Sequence, residues 1–149
     1  MVSMEIVQEH MRFGKISAED QKLIDVTRQS FFEGLKFAKK DYRIGDISSA
    51  IQKYVEKNGF SVIREFQGHG IGREMHEDPG VPNFGKPNHG IRLEKGMTIA
   101  VEPMVNAGSK EIFESDDGWS ILTDDGKNAA HFENTILITD GEPEILTKS

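Results

Sequence analysis

The hydrophobic pattern changes period at Phe60, and that change constrains the fold more than any other feature of the chain. Before it, Ser17-Ala18-Glu19-Asp20 has the form of a helix start, with Ser17 as N-cap and an acidic residue at the third helical position. Leu23, Val26, Phe31, Leu35 and Ala38 then recur at helical spacing, with Ile24, Phe32 and Phe37 beside them. This predicts a helix to about Lys40 that packs on two sides. A second helix is expected with Asp46 as its cap: Ile47, Ala50, Ile51, Tyr54 and Val55 follow the i, i+3, i+4, i+7, i+8 pattern until Asn58-Gly59 ends it. After Phe60 the runs are short and rich in β formers. Ser61 to Phe66 reads as a strand, followed by Met97 to Val105, Glu111 to Glu114, Trp119 to Thr123 and Ala130 to Thr139. Gly108, Asp117-Gly118 and Asp125-Gly126 separate these runs, and hairpin turns favour such residues. Two helices followed by a run of strands predict an α+β layer, with the helices packed on a mostly antiparallel sheet. Residues 1 to 16 are weakly patterned and are expected to be a leader, leaving 17 to 149 as one domain.

Composition narrows what such a domain can do. The formal charge of −7 argues against a nucleic-acid or anionic-membrane binder, because phosphate recognition needs clustered Lys and Arg and the basic residues are scattered. A cation is the more compatible ligand. The chain has no cysteine, which excludes disulfides, thiolate zinc sites and a cysteine nucleophile, so any metal must be held by His, Asp and Glu. No apolar stretch approaches a membrane span, and Met1 to Glu5 lacks the regions of a signal peptide, which makes the cytosol the expected compartment.

Chemistry concentrates in three places. Gly68-His69-Gly70-Ile71-Gly72-Arg73-Glu74-Met75-His76-Glu77-Asp78-Pro79 carries two histidines in a run of glycines and is expected to be an active-site loop, continued by an irregular connection from Asp78 to Lys95. His69, between two glycines, is the better metal ligand, and His76 the better substrate or proton-transfer group. Glu102 stands inside the apolar run Thr98 to Met104, where an unpaired charge is expensive to bury, and Glu133 repeats the arrangement in His131 to Ile138. For each carboxylate the plain alternative is a side chain that points to solvent from a half-exposed strand. Taken together, a His, Glu, Glu set supplies imidazole and hard oxygen donors suited to Mn, Fe, Co or Zn and leaves positions open for water to be activated. His10, His89 and His131 are expected to be ordinary structural histidines. Gly68-x-Gly70-x-Gly72 lacks the spacing and following helix of a dinucleotide fingerprint. Glu111, Glu114, Asp116, Asp117, Asp124 and Asp125 read as solvated turn and edge residues, and Trp119 as a core or interface anchor.

Three ordered motifs resemble the C-terminal half of type I methionine aminopeptidases, the pita-bread metallopeptidases. They are Gly68 to Gly72 through Met75 to Pro79, then Gly96-Met97-Thr98-Ile99-Ala100-Val101-Glu102-Pro103-Met104-Val105-Asn106, then Phe132-Glu133-Asn134-Thr135-Ile136, within a resemblance spanning about residues 17 to 147. The resemblance implies half of a pita-bread fold with a curved sheet. It also implies metal-dependent removal of N-terminal methionine from peptides and nascent proteins. By it, His69, Glu102 and Glu133 match metal ligands, with Glu133 shared between two metals, and His76 matches the histidine that contacts substrate and stabilises the tetrahedral intermediate.

The sequence also departs from the family. The first half of the family's domain supplies two aspartate ligands and another histidine, and no segment here matches it. Ile24-Asp25-Val26-Thr27 imitates the first aspartate motif, but it lies within the first helical pattern, which places Asp25 on a helix surface. A site normally holding two divalent metals (Co, Mn, Fe or Zn) is therefore expected to hold at most one, weakly. The expected partners are a peptide with N-terminal methionine and either a second copy of the chain or a separately encoded first half that covers the exposed sheet. Two other readings stay open: a non-catalytic peptide-binding or self-associating half-domain, and an inactive gene fragment.

Overall fold

A computed structural model of the chain describes residues 3–6, 17–108, 112–114, 121–123 and 128–147. In chain order the elements are β1 (Ser3–Ile6), α1 (Ala18–Leu35), α2 (Ile44–Lys57), β2 (Ser61–Val62), β3 (Gly68–Gly70) and β4 (Glu77–Val81). They continue with β5 (Thr98–Val101), β6 (Met104–Asn106), β7 (Ile112–Glu114), β8 (Ile121–Thr123), β9 (Ala129–Leu137) and β10 (Glu144–Ile145). This is the expected α+β arrangement of two helices on an antiparallel sheet. Of the expected leader, only Ser3–Ile6 is described, and it forms a strand. His10, Glu111, Asp116, Asp117, Trp119, Asp124 and Asp125 lie outside the described residues, as does the side chain of Glu114.

The first helix begins where its sequence says it should. Ser17 adopts extended backbone, and its hydroxyl accepts the amide of Asp20 at 3.0 Å, satisfying one of the N–H groups that a helix start leaves without a partner. Asp20 is itself buried and accepts from Asn128 Nδ2, which ties this end of the helix to the segment leading into β9. Ser17→Ala should cost about 1 kcal/mol, read as a lower urea midpoint with unchanged slope. An unchanged midpoint would show that the cap contributes nothing.

Two helix boundaries differ from expectation. Helix α1 stops at Leu35 and not near Lys40. After Lys36 the chain turns, Asp41 takes a positive φ of 76°, and Asp41 N donates to Leu93 O while Leu93 N donates to Tyr42 O. Pairing with the distant 91–93 segment overrides the helical pattern of Phe37 and Ala38. Asp46 is not the N-cap of α2. That position is Arg43, and Asp46 sits three residues on, where its carboxylate accepts the Arg43 amide at 2.8 Å. The two helices cross closely at Gly34, where a Cβ would lie 2.9 Å from Ile51 Cγ1.

The sheet is organised around β9. Ala130 and His131 pair with Ile6 and Glu5 of β1 and also with Val105 and Met104 of β6, so both edges of β9 are used at that level. Further along, Ile136 and Leu137 pair with Ile99 and Thr98 of β5 and with Ile145 and Glu144 of β10. Every pairing is antiparallel, and the order β2-β6-β9-β5-β3-β4 continues the sheet, while β7 and β8 form a separate hairpin. Along β9, Ala130, Phe132, Asn134 and Ile136 are buried and the odd-numbered residues between them are not, the alternation of a strand with one covered face. Phe132 packs edge-on against Phe31 at 5.3 Å, which places α1 over the even-numbered face. His131 and Glu133 therefore project from the other face. Among the described residues, no helix is long and apolar enough to cross a membrane.

Two further expectations change in a way that bears on function. The glycine and histidine segment is not one loop, because Gly68–Gly70 pairs with β5 and Glu77–Val81 pairs back onto it, leaving Ile71 to His76 as the connection. The run from Met97 to Val105 is not one strand either. It breaks at Glu102-Pro103, where proline has no amide to donate, and the pairing partner on the side away from β9 changes from β3 to β2.

Candidate metal centre

The break between β5 and β6 brings Glu102 to Glu133. Val101 pairs with Asn134 and Met104 with His131, so Glu102 and Pro103 face Glu133 and Phe132 across the ladder. Phe132 N donates to Pro103 O at 3.1 Å, and Asn83 Nδ2 donates to Glu102 O at 2.8 Å, so the irregular backbone keeps hydrogen-bond partners and Glu102 is fixed in place. His69 arrives from β3, opposite Ala100 of β5, with its ring 3.0 Å from Glu102 Oε1 through Nε2. Gly68 and Gly70 on either side are buried against backbone carbonyls of Ala100 and Asp78, so a narrow strand carries the one large side chain between them.

The hydrogen bonding of His69 fixes the orientation of its ring. Its Nδ1 lies 3.0 Å from Gly70 O, a carbonyl that can only accept, so Nδ1 carries a proton. Nε2, on the other side of the ring, faces a carboxylate oxygen of Glu102 at 3.0 Å. A nitrogen and a carboxylate oxygen at that distance are joined either by a proton, as a hydrogen bond, or by a cation between them. The imidazole fixed by a carbonyl, with its other nitrogen free to coordinate, is the orientation expected of a metal ligand.

Electrostatics point the same way. Burial pushes the Glu102 carboxyl up to about 6 from an ordinary value of 4.5, the negative charge of Glu133 pushes in the same direction, and His69 opposes both. A carboxyl whose folded-state value is raised favours the fold when protonated. That contribution is fully present below 4.5 and is lost as the pH rises through about 6, so at neutral pH the ion-free cluster is destabilising. Glu102→Gln should therefore stabilise the chelator-treated protein at neutral pH by about 1 kcal/mol, the full linkage value of about 2 kcal/mol being reduced by partial solvent screening. Thermal melts measure this, and a variant less stable than the parent would contradict it.

The other residues singled out in the sequence divide clearly. His76 is exposed and stacks on His69, with ring centroids 4.0 Å apart, so it borders the cluster on the open side. Asp25 is exposed on α1 and accepts from Gln21 Nε2, as expected of a helix-surface residue. His89 is exposed, with its Nδ1 2.9 Å from Pro87 O in its own loop. His131, expected to be a structural histidine, stands beside both carboxylates: its Nε2 lies 3.9 Å from Glu102 Oε2 and 3.9 Å from Glu133 Oε2. Ligand atoms of Glu102, His131 and Glu133 all lie within 4.8 Å of one another. The available signal was its position two residues before Glu133 on one strand, which puts both side chains on one face.

This donor set of imidazoles and carboxylates, with partly desolvated charge, fits a divalent first-row metal ion. Comparison with known proteins agrees. A family model described as metallopeptidase family M24 matches residues 9–140. The chain is 58% identical over 134 residues to a methionine aminopeptidase of Clostridium perfringens, covering 90% of this chain and 54% of that protein. It is 52% identical over 135 residues to methionine aminopeptidase 1 of Bacillus subtilis, covering 91% of this chain and 54% of that protein. The crystal structure of a methionine aminopeptidase from Thermotoga maritima superposes with a TM-score of 0.88 at 48% identity, over 91% of this chain and 55% of that one. The chain thus spans about half the length of the relatives it matches. A prolidase from Pyrococcus furiosus, at 21% identity and a TM-score of 0.66, shares the architecture alone.

Proposed function

This chain belongs to metallopeptidase family M24, and on that premise we propose that it takes part in metal-dependent removal of methionine from the N-terminus of peptides. The observation that carries the reading is His69 Nε2 facing Glu102 Oε1 at 3.0 Å, with Glu133 beside Glu102. His69, Glu102 and Glu133 would hold the ion. A divalent ion there supplies Lewis acidity to polarise a scissile carbonyl and to make water nucleophilic near neutral pH.

The remaining residues have roles that follow from their places. The Gly70 carbonyl holds the proton of His69 on Nδ1, so Nε2 keeps its lone pair available for the ion. His76, stacked on His69 at the open side, would donate a ring N–H to the carbonyl oxygen of the first peptide bond as negative charge develops there. Methionine as the first residue is supported by the relatives, which are named methionine aminopeptidases at 58% and 52% identity. Because the matched span is about half of each relative, we assign to this chain the His and Glu side of the centre and not the whole substrate pocket.

The test is release of free methionine from a methionine-initiated tripeptide with added Mn or Co, beside the same peptide with an acetylated N-terminus. Metal-dependent release from the free peptide alone is expected. No release at any metal concentration would overturn the reading.

A further inference from the structure

The resemblance of the sequence motifs implies His69, Glu102 and Glu133 as ligands, yet the folded chain adds an imidazole that those motifs do not point to. His131 and Glu133, two apart on β9, project from the face that α1 leaves uncovered, and the break at Glu102-Pro103 turns Glu102 toward them. The two oxygens of Glu102 serve different neighbours: Oε1 meets His69 at 3.0 Å, and Oε2 lies 3.9 Å from His131 Nε2. His131 Nε2 is also 3.9 Å from Glu133 Oε2. These separations are long for a direct hydrogen bond. They are close to what a common ion requires, because donors at about 2.0–2.2 Å from one tetrahedral ion lie about 3.3–3.6 Å from each other.

We propose that His131 is a further direct metal ligand beside His69, so that Glu102 Oε2, His131 Nε2 and Glu133 Oε2 all take part in holding one divalent first-row transition ion within this chain. The proposal rests on the reading of the cluster as a metal centre. Carboxylates alone would suit Mg or Ca, which prefer oxygen; a second imidazole beside that of His69 moves the preference further toward Zn, Co and Fe. His131 thus has a chemical consequence of its own, namely which ion the chain retains.

Zn titration followed by calorimetry tests this directly, with Mg as the comparison ion. The parent chain should bind one Zn per chain. His131→Gln should lower Zn affinity about tenfold or more and leave Mg affinity within about twofold, since one of the two nitrogen donors is lost and no oxygen donor is. His89→Gln, an exposed control, should change neither. Should His131→Gln melt well below the parent, imidazole NMR of the parent replaces it: Zn must shift the His131 Nε2 resonance at one equivalent. An unchanged Zn affinity in a folded His131→Gln, or an unshifted His131 resonance at saturation, overturns the proposal. Failure of the parent to bind Zn would overturn the metal-centre reading as well. Zn binding that is lost in Glu133→Ala but kept in His131→Gln would remove only the role of His131.

Discussion

Replacing Glu133 with alanine is expected to lower metal-dependent methionine release about a thousandfold, which corresponds to about 4 kcal/mol of transition-state stabilisation. The carboxylate stands opposite Glu102 and 3.9 Å from His131, so its removal would leave a bound ion without one of the two carboxylates that would hold it. The same change should not harm the fold. Glu133 is only half-buried, and its charge is one of the causes that push Glu102 up, so the variant should melt at or above the temperature of the ion-free parent. Loss of activity with retained folding separates a role in the reaction from a structural one. Glu144→Ala, an exposed change on the neighbouring β10, serves as the control. A Glu133→Ala protein that retains a tenth or more of parental turnover would contradict the assignment.

The largest effect on stability is expected at Gly68. This residue is buried in β3, paired with Val81 of β4, and a Cβ built on it would meet Ala100 O at 2.0 Å and the Val81 side chain at 3.2 Å. The obstructing atom is backbone in a central strand, so no side-chain rotation relieves it, and β3 must separate from β5. Gly68→Ala should cost about 3 kcal/mol and lower the melting temperature by about 10 °C. Gly59→Ala gives the comparison: Gly59 has a φ of +84° with nothing within 4 Å of a new Cβ, so only the left-handed backbone is penalised, by about 1 kcal/mol. Equal losses in the two variants would show that close strand approach at Gly68 does not govern stability. Since β3 carries His69, the same substitution should also weaken metal binding.

These two sites illustrate what the sequence makes legible. The change of period at Phe60, the cap at Ser17 and the stop at Asn58-Gly59 are local signals, and each marks an observed boundary to within a few residues. Asp25 could be set on a helix surface because its neighbours followed one helical pattern. The errors arise where distant segments decide. Helix α1 ends early because Asp41 and Tyr42 pair with Leu93, about fifty residues away in sequence. Asp46 stands three residues after the cap and not at it, because Arg43, an uncommon cap, gives no compositional signal. The break at Glu102-Pro103 was concealed by apolar residues on both sides, although the proline was a visible cue.

The site shows the same division. Glu102 and Glu133 stood out as charges within apolar runs, a local anomaly, and His69 as a ring between glycines. That His69 and Glu133 both lie beside Glu102 depends on the order of β3, β5 and β9 in the sheet, which no local pattern records. His131 gave no anomaly when read alone, because a single histidine at the start of an apolar strand is common. It acquires meaning only from the strand register that sets it opposite Met104 and beside Glu102.

The most consequential feature proposed for this chain is a divalent metal ion shared by the carboxylates of Glu102 and Glu133. Anomalous diffraction at the Zn edge from crystals of the chain grown with Zn measures this most directly. The expected result is a strong anomalous peak within about 2.2 Å of an oxygen of Glu102 and an oxygen of Glu133. Peaks confined to exposed side chains such as His89, with none between the two carboxylates, would contradict it.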